Sequence, residues 1–191
     1  YFLNYKKSKS IFFINLKNHE SIYKDSDIED WKINLINTGV NTMTGGRVRR
    51  MKKYLSKETF MLTYGDGLSD ININQLINFH KSHGKMITIT AVRPPARFGE
   101  LEINNNNKVN SFTEKPQLKE GWINGGFFIV EPEFIDLIED DSTLLEQEPL
   151  ERAAKAGELM AFKHEGFWQC MDTKRDRNLL EKIYTESNPW G

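Results

Sequence analysis

At 191 residues with a formal net charge of −1, the chain has room for one domain with a buried core. It carries no overall field for nucleic acid or an anionic membrane. Hydrophobic residues at 38% and charged residues at 28% exclude a disordered chain, and a single cysteine, Cys170, excludes an internal disulfide and a cysteine-based zinc site.

Tyr1-Phe2-Leu3-Asn4-Tyr5 reads as the end of a helix already under way, so the expectation is a single domain over residues 1–191 that is N-terminally incomplete. Ile11-Phe12-Phe13-Ile14-Asn15-Leu16 predicts a strand, and the polar residues 17–30 predict a loop. Trp31, Ile33 and Leu35 alternate with polar residues, which predicts a half-buried strand stopped by Thr38-Gly39. A helix follows Gly45-Gly46, with Val48, Met51 and Leu55 turned inward.

Thr59-Phe60-Met61-Leu62-Thr63-Tyr64-Gly65-Asp66-Gly67 is the most informative run. A short apolar strand ends at one carboxylate between two glycines, as when a buried strand delivers an acid to the carboxyl edge of an α/β sheet. The side chain of Asp66 is short, which suits a fixed metal ligand; a plain Gly-Asp-Gly turn is the competing reading. A helix from Asp70 to the stop at Gly84 comes next, then a strand in Met86-Ile87-Thr88-Ile89-Thr90-Ala91-Val92.

Residues 101–103 and 109–112 around an asparagine-rich tip predict a hairpin. Glu114-Lys115-Pro116 offers a lysine fixed by the following proline, suited either to an anion or to a surface turn. Ile123-Asn124-Gly125-Gly126-Phe127-Phe128-Ile129-Val130 predicts a strand whose first residues suit sugar hydroxyls or form a bulge. Residues 133–138 and 144–156 read as helices, the second interrupted near Pro149.

Gly166-Phe167-Trp168-Gln169-Cys170-Met171-Asp172-Thr173 again runs from apolar residues into a carboxylate, and a helix with Leu179, Leu180, Ile183 and Tyr184 on one face follows. Asp66 and Asp172 together suit Mg2+ where a triphosphate supplies the other oxygens, unless Asp172 or Thr173 only caps the helix. Gly45-Gly46-Arg47 at a helix start suits either an anion or a simple turn. Strands alternating with helices predict an α/β fold, a Rossmann-like mixed and mainly parallel sheet flanked by helices, with a small β-hairpin extension. No secretory pattern or long apolar span is present, which predicts a cytoplasmic protein that binds no membrane and no nucleic acid.

The order of Thr44-Gly45-Gly46-Arg47, Thr63-Tyr64-Gly65-Asp66-Gly67, Pro94-Pro95-Ala96-Arg97-Phe98-Gly99, Glu114-Lys115-Pro116, Ile123-Asn124-Gly125-Gly126, Glu146-Gln147-Glu148-Pro149-Leu150 and Met171-Asp172-Thr173 resembles the sugar-1-phosphate nucleotidyltransferases. The likeness is greatest to their glucose-1-phosphate cytidylyltransferase branch. It implies Mg2+-dependent transfer from CTP to α-D-glucose 1-phosphate, giving CDP-glucose and pyrophosphate for polysaccharide biosynthesis. By the same resemblance Asp66 and Asp172 are metal ligands, and Thr42, Arg47 and Gly65 bind nucleotide. Lys115 holds the sugar phosphate, while Glu114, Asn124 and Gly125 grip the sugar; a homo-oligomer is implied. The glycine-rich Gly-Gly-x-Gly-Thr-Arg loop of the family is absent from these residues, so weak or no activity is the expectation. Uridylyl or thymidylyl transfer, or a nucleotide-sugar-binding module without turnover, are the alternatives.

Overall fold

The computed structural model describes residues 5, 11–18, 20–24, 31–55, 57–94, 100–103, 105–106, 108–113, 121–187 and 189–190. Two compact units, Tyr1–Asn37 and Thr38–Gly191, make up the chain, where length predicts one domain over residues 1–191.

In the first unit, β1 (Ile11–Ile14) pairs antiparallel with β2 (Ser21–Lys24), Ile14 opposite Ser21. The side chains of Asn15 and Asn18 accept backbone N–H groups of Lys17 and Glu20, and these local bonds shape the turn. A strand within the expected 17–30 loop is a correction. Ile22 and Tyr23 are too few to signal a strand until β1 gives them a partner. Trp31, Ile33 and Leu35 are also corrected: they are irregular and exposed, because alternation without a pairing edge builds no strand.

The second unit opens with α1 (Thr44–Arg50) and α2 (Lys52–Leu55), then β3 (Phe60–Thr63) and β4 (Gly67–Ser69). Helix α3 (Ile73–His83) is capped by the side chain of Asn72, two residues past the expected Asp70, and ends on left-handed Gly84. β5 (Ile87–Val92) follows, then the hairpin β6 (Glu100–Ile103) and β7 (Val109–Thr113), which lies where the sequence predicts it. β8 (Ile123–Val130) leads to a 3-10 helix at Pro132–Leu137 and to α4 (Glu148–Lys155). Pro149 sits at the start of α4 rather than interrupting a longer helix, since its missing N–H costs nothing there. β9 (Leu159–His164), β10 (Trp168–Cys170) and α5 (Lys174–Glu186) complete the unit.

The main sheet has the order β3-β8-β5-β9. β8 is antiparallel to both β3 and β5, and β9 is parallel to β5. Three of the four strands therefore point the same way, as a mainly parallel sheet requires. The reversed strand lies between two of them, so two of the three ladders are antiparallel, and the expected mainly parallel pairing is corrected. The mixed α/β class stands.

Side chains of β8 alternate between two cores, as the pleat dictates. Phe128 and Val130 join Val48, Ile87, Phe134, Ile135, Leu145, Leu150 and Ala153 on the side covered by α1, the 3-10 helix and α4. Ile129 joins Ile71 and Leu76 on the α3 side. Covered on both faces, β5 reads as an almost unbroken buried run.

Candidate functional site

Because β3, β5 and β9 share a direction, their carboxyl ends lie along one edge of the sheet, where β8 begins. Residues 64–66 continue from β3 at that edge. β4 then turns into a two-stranded ribbon with β10, Gly67 opposite Cys170 and Ser69 opposite Trp168. Beyond the last pair, the Met171 N–H donates to the Asp66 carbonyl at 2.8 Å. Asp66 thus faces Met171 across the ribbon, one residue from Asp172.

Two bonds tie this ribbon to the main sheet, and a third closes the ribbon on itself. Trp168 Nε1 donates to the Gly125 carbonyl at 2.8 Å, His164 Nε2 meets Asp70 Oδ1 at 2.8 Å, and the Ser69 hydroxyl donates to the Phe167 carbonyl at 2.8 Å. The Asp172 ambiguity resolves locally. Thr173 caps α5 by accepting from the Asp176 N–H, and Asp176 accepts in return from the Thr173 N–H. Asp172 is left out of the cap; the Cys170 thiol donates to it at 3.4 Å. Burial, and then this carboxylate, push the Cys170 thiol pKa up.

Near the start of β8 the register against β5 slips between Ile89 and Ala91, so Gly125-Gly126-Phe127 faces Thr90 alone in a bulge just after Asn124. A side chain at Gly125 would strike Val92 Cγ1 at 2.7 Å, and Gly126 has φ +80° with Tyr64 Cδ2 at 2.8 Å from an added Cβ. Gly125 is buried, and its carbonyl accepts from Trp168 Nε1.

A chain of hydrogen bonds crosses the edge. Gly126 N–H donates to Asn124 Oδ1 at 2.8 Å, Asn124 Nδ2 to the Tyr64 hydroxyl at 3.3 Å, and that hydroxyl to Glu146 Oε1 at 2.6 Å. The Thr44 hydroxyl donates to Glu146 Oε2 at 2.7 Å and accepts from the Leu145 N–H at 3.0 Å. Partial burial works to raise the Glu146 carboxyl pKa, but the hydroxyls of Tyr64 and Thr44 outweigh it and hold it below the usual carboxylate range. Burial first, and the bond to Glu146 second, raise the Tyr64 phenol.

The other sequence-predicted residues scatter more. Gly65 is exposed, with open space where a side chain would project. Thr42 is buried at the approach to α1. Arg47 is exposed, its guanidinium donating to the Thr38 hydroxyl at 2.7 Å and the Val40 carbonyl at 3.4 Å. Gly45 and Gly46 are explained by close packing rather than by anion binding. The Gly46 N–H donates to the Thr143 carbonyl, and an added Cβ at Gly46 would lie 2.5 Å from the Asp141 carbonyl oxygen. Glu114 and Lys115 lie outside the described residues.

Tyr64, Glu146, Thr44 and Trp168 have no role in the sequence reading beyond their places in the motif runs. Only the register that brings β3, β8 and the segment before α4 together would have found them. Among the described residues, no group of three or more His, Cys, Asp or Glu side chains is arranged to hold a metal ion. No helix there is long and apolar enough to cross a membrane.

A family model for nucleotidyl transferases matches residues 3–176. The chain belongs to that family. Glucose-1-phosphate cytidylyltransferase of Salmonella typhimurium (strain LT2) is 46% identical over 192 residues, spanning 100% of this chain and 74% of its own length. The Salmonella typhi protein of the same name gives the same figures. Among solved structures, HddC from Yersinia pseudotuberculosis superposes with a TM-score of 0.55 at 24% identity. That match covers 75% of this chain and 64% of HddC, so this nucleotidyl transferase chain spans less than two thirds of the solved one. At that identity the likeness supports the shared fold alone.

Proposed function

We propose that this chain carries out the reaction named for its Salmonella relatives, transferring a cytidylyl group from CTP to α-D-glucose 1-phosphate. A phosphate oxygen of the sugar phosphate attacks the α-phosphorus of CTP in line. The bond from that phosphorus to the bridging oxygen breaks, and pyrophosphate leaves. No covalent enzyme intermediate is required, so catalysis is positioning and charge neutralisation.

Asp66 and Asp172 would hold a divalent cation, Mg2+. Both offer hard carboxylate oxygens on exposed residues at the open end of one ribbon. Asp66 lies opposite Met171, so Asp172 follows one residue further along the same end of the ribbon. When bound, such an ion neutralises phosphate oxygens as charge builds on the departing pyrophosphate. The low count of protein ligands suits Mg2+, which keeps water and takes substrate oxygens for the rest.

Asn124 offers the sugar a second amide hydrogen and a second lone pair. Gly65, lacking a side chain, leaves space for the nucleotide beside Asp66. By resemblance Lys115 neutralises the sugar phosphate, Glu114 and Gly125 complete the sugar subsite, and Thr42 and Arg47 serve the nucleotide. A homo-oligomer in the cytoplasm, acting on these small molecules, completes the reading.

The observation that carries it is the Met171–Asp66 bond, which brings Asp66 opposite the residue before Asp172, at the sheet edge where β8 starts with Ile123-Asn124. Pyrophosphate release is measured with CTP, UTP and dTTP in turn, each with glucose 1-phosphate and Mg2+. Release with CTP well above the other two is expected. Equal or greater release with UTP or dTTP would move the assignment to uridylyl or thymidylyl transfer, and CDP-glucose binding without turnover to a binding module.

A further inference from the structure

We propose that Glu146 is a positioning residue that locks the Asn124 amide in its sugar-gripping orientation, acting through the Tyr64 hydroxyl. This rests on the cytidylyltransferase reading above. The direction of every bond in the chain follows from what each group is able to donate. The Gly126 N–H has only a proton to offer, so the Asn124 atom 2.8 Å away is the oxygen. Nδ2 therefore faces Tyr64 and donates to its hydroxyl oxygen at 3.3 Å. The phenolic proton must then leave in another direction, and Glu146 Oε1 takes it at 2.6 Å.

A carboxylate accepts and does not donate, so Glu146 sets the polarity of the whole chain. Remove it and the Tyr64 proton is free to turn toward Asn124. There it competes with Nδ2 and favours the flipped amide, which in turn abandons the Gly126 N–H. The carboxylate itself is pinned, because its second oxygen accepts from Thr44, and the Thr44 oxygen is engaged by the Leu145 N–H. The Tyr64 ring is equally fixed, edge-on to Phe128 with centroids 5.6 Å apart and against the Gly126 backbone. Among the described residues Glu146 pairs with no cation; both of its oxygens are spent on hydroxyls.

The experiment measures CDP-glucose and CTP affinities by calorimetry with Mg2+ present, for the chain and for Glu146→Ala, Glu146→Gln, Tyr64→Phe and the Glu146→Ala/Tyr64→Phe double variant. Loss of one charge-assisted bond predicts CDP-glucose binding about tenfold weaker in Glu146→Ala and in Tyr64→Phe. The double variant falls no further than either single one, because both act on the same amide. Glu146→Gln keeps an acceptor for the Tyr64 proton and restores binding to within about twofold. CTP affinity holds in all four, which a misfolded variant would not allow. Additive losses, an equal loss of CTP affinity, or unchanged CDP-glucose binding in Glu146→Ala overturns the proposal. If the unaltered chain itself binds no CDP-glucose, the functional reading falls and takes this inference with it.

Discussion

Met171 holds Asp66 by its backbone, and through that bond the position of Asp172 relative to Asp66 is set by strand pairing rather than by side-chain packing. Asp66 is exposed and receives no side-chain hydrogen bond from the described residues, and the cap of α5 is supplied by Thr173 and Asp176.

Asp66→Asn is therefore expected to leave the unfolding midpoint unchanged, as surface changes away from packing usually shift stability by under about 0.5 kcal/mol. Mn2+ affinity, read by electron paramagnetic resonance with CTP present, should fall at least about tenfold, the loss of one charged ligand in a site with few. Wild-type metal affinity in Asp66→Asn and Asp172→Asn alike would remove both from the metal site.

Gly46→Ala tests the opposite kind of claim, that a glycine pair serves packing. The new Cβ would lie 2.5 Å from a carbonyl oxygen and 2.6 Å from the Asp141 Cα, all of it backbone with little freedom to yield. Helix α1 must move off the 140–145 segment, losing the Gly46–Thr143 and Met43–Asp141 bonds. Denaturant unfolding should show a loss of about 1–3 kcal/mol, the usual cost of overpacking. A midpoint equal to that of the unaltered chain would show that α1 and the segment can separate without penalty.

Much of this was legible in the sequence. The strand leading toward Asp66, which ends at Thr63, the cap at Thr173, the left-handed stop at Gly84 and the polar-tipped hairpin all follow from local chemistry. What was hidden depends on partners distant in the chain. β4 has three residues and exists only because β10 pairs with it. β9 is built from Leu159, Met160, Ala161 and Lys163, residues that favour helices, and becomes a strand because β5 offers a parallel edge. Gly45-Gly46 looks the same in sequence whether a phosphate or a backbone approaches it. Tyr64 and Glu146 meet across the fold, and no spacing rule links them.

Trp168→Phe isolates one tie between ribbon and sheet. The ring is kept and only the N–H is lost, so the buried Gly125 carbonyl is left without that donor. Leaving a buried acceptor unpaired costs about 1–3 kcal/mol. The loss should appear in thermal unfolding, and amide exchange in residues 67–69 and 168–170 should accelerate more than in β5. Unchanged protection in the ribbon would mean that the His164–Asp70 contact holds it to the sheet without the tryptophan.

His83 gives the chain a stability that depends on pH, and the bond directions set its sign. The Lys85 N–H donates to His83 Nδ1 at 2.9 Å, so that nitrogen carries no proton. The neutral ring must bear its hydrogen on Nε2, which donates to the Thr88 hydroxyl at 2.8 Å. Thr88 in turn donates to His80 Nδ1 at 2.8 Å, and His80 Nε2 to Glu131 Oε1 at 3.0 Å. Adding a proton to His83 would break the Lys85 bond and place a cation beside His80 and Lys85. Burial first, then those two neighbours, push its pKa below the ordinary value, against an opposing pull from Glu158. A base depressed in this way is neutral in the folded chain and binds protons more readily when unfolded. Its contribution is fully present above the unfolded value, about 6.5, and is lost as pH falls through the lower folded value. Urea midpoints taken from pH 8 down to pH 5.5 should hold steady and then decline below about 6.5. The decline should be shallower in His83→Gln, whose amide presents an oxygen to one neighbour and a donor to the other. An identical slope in that variant would assign the acid sensitivity to other groups.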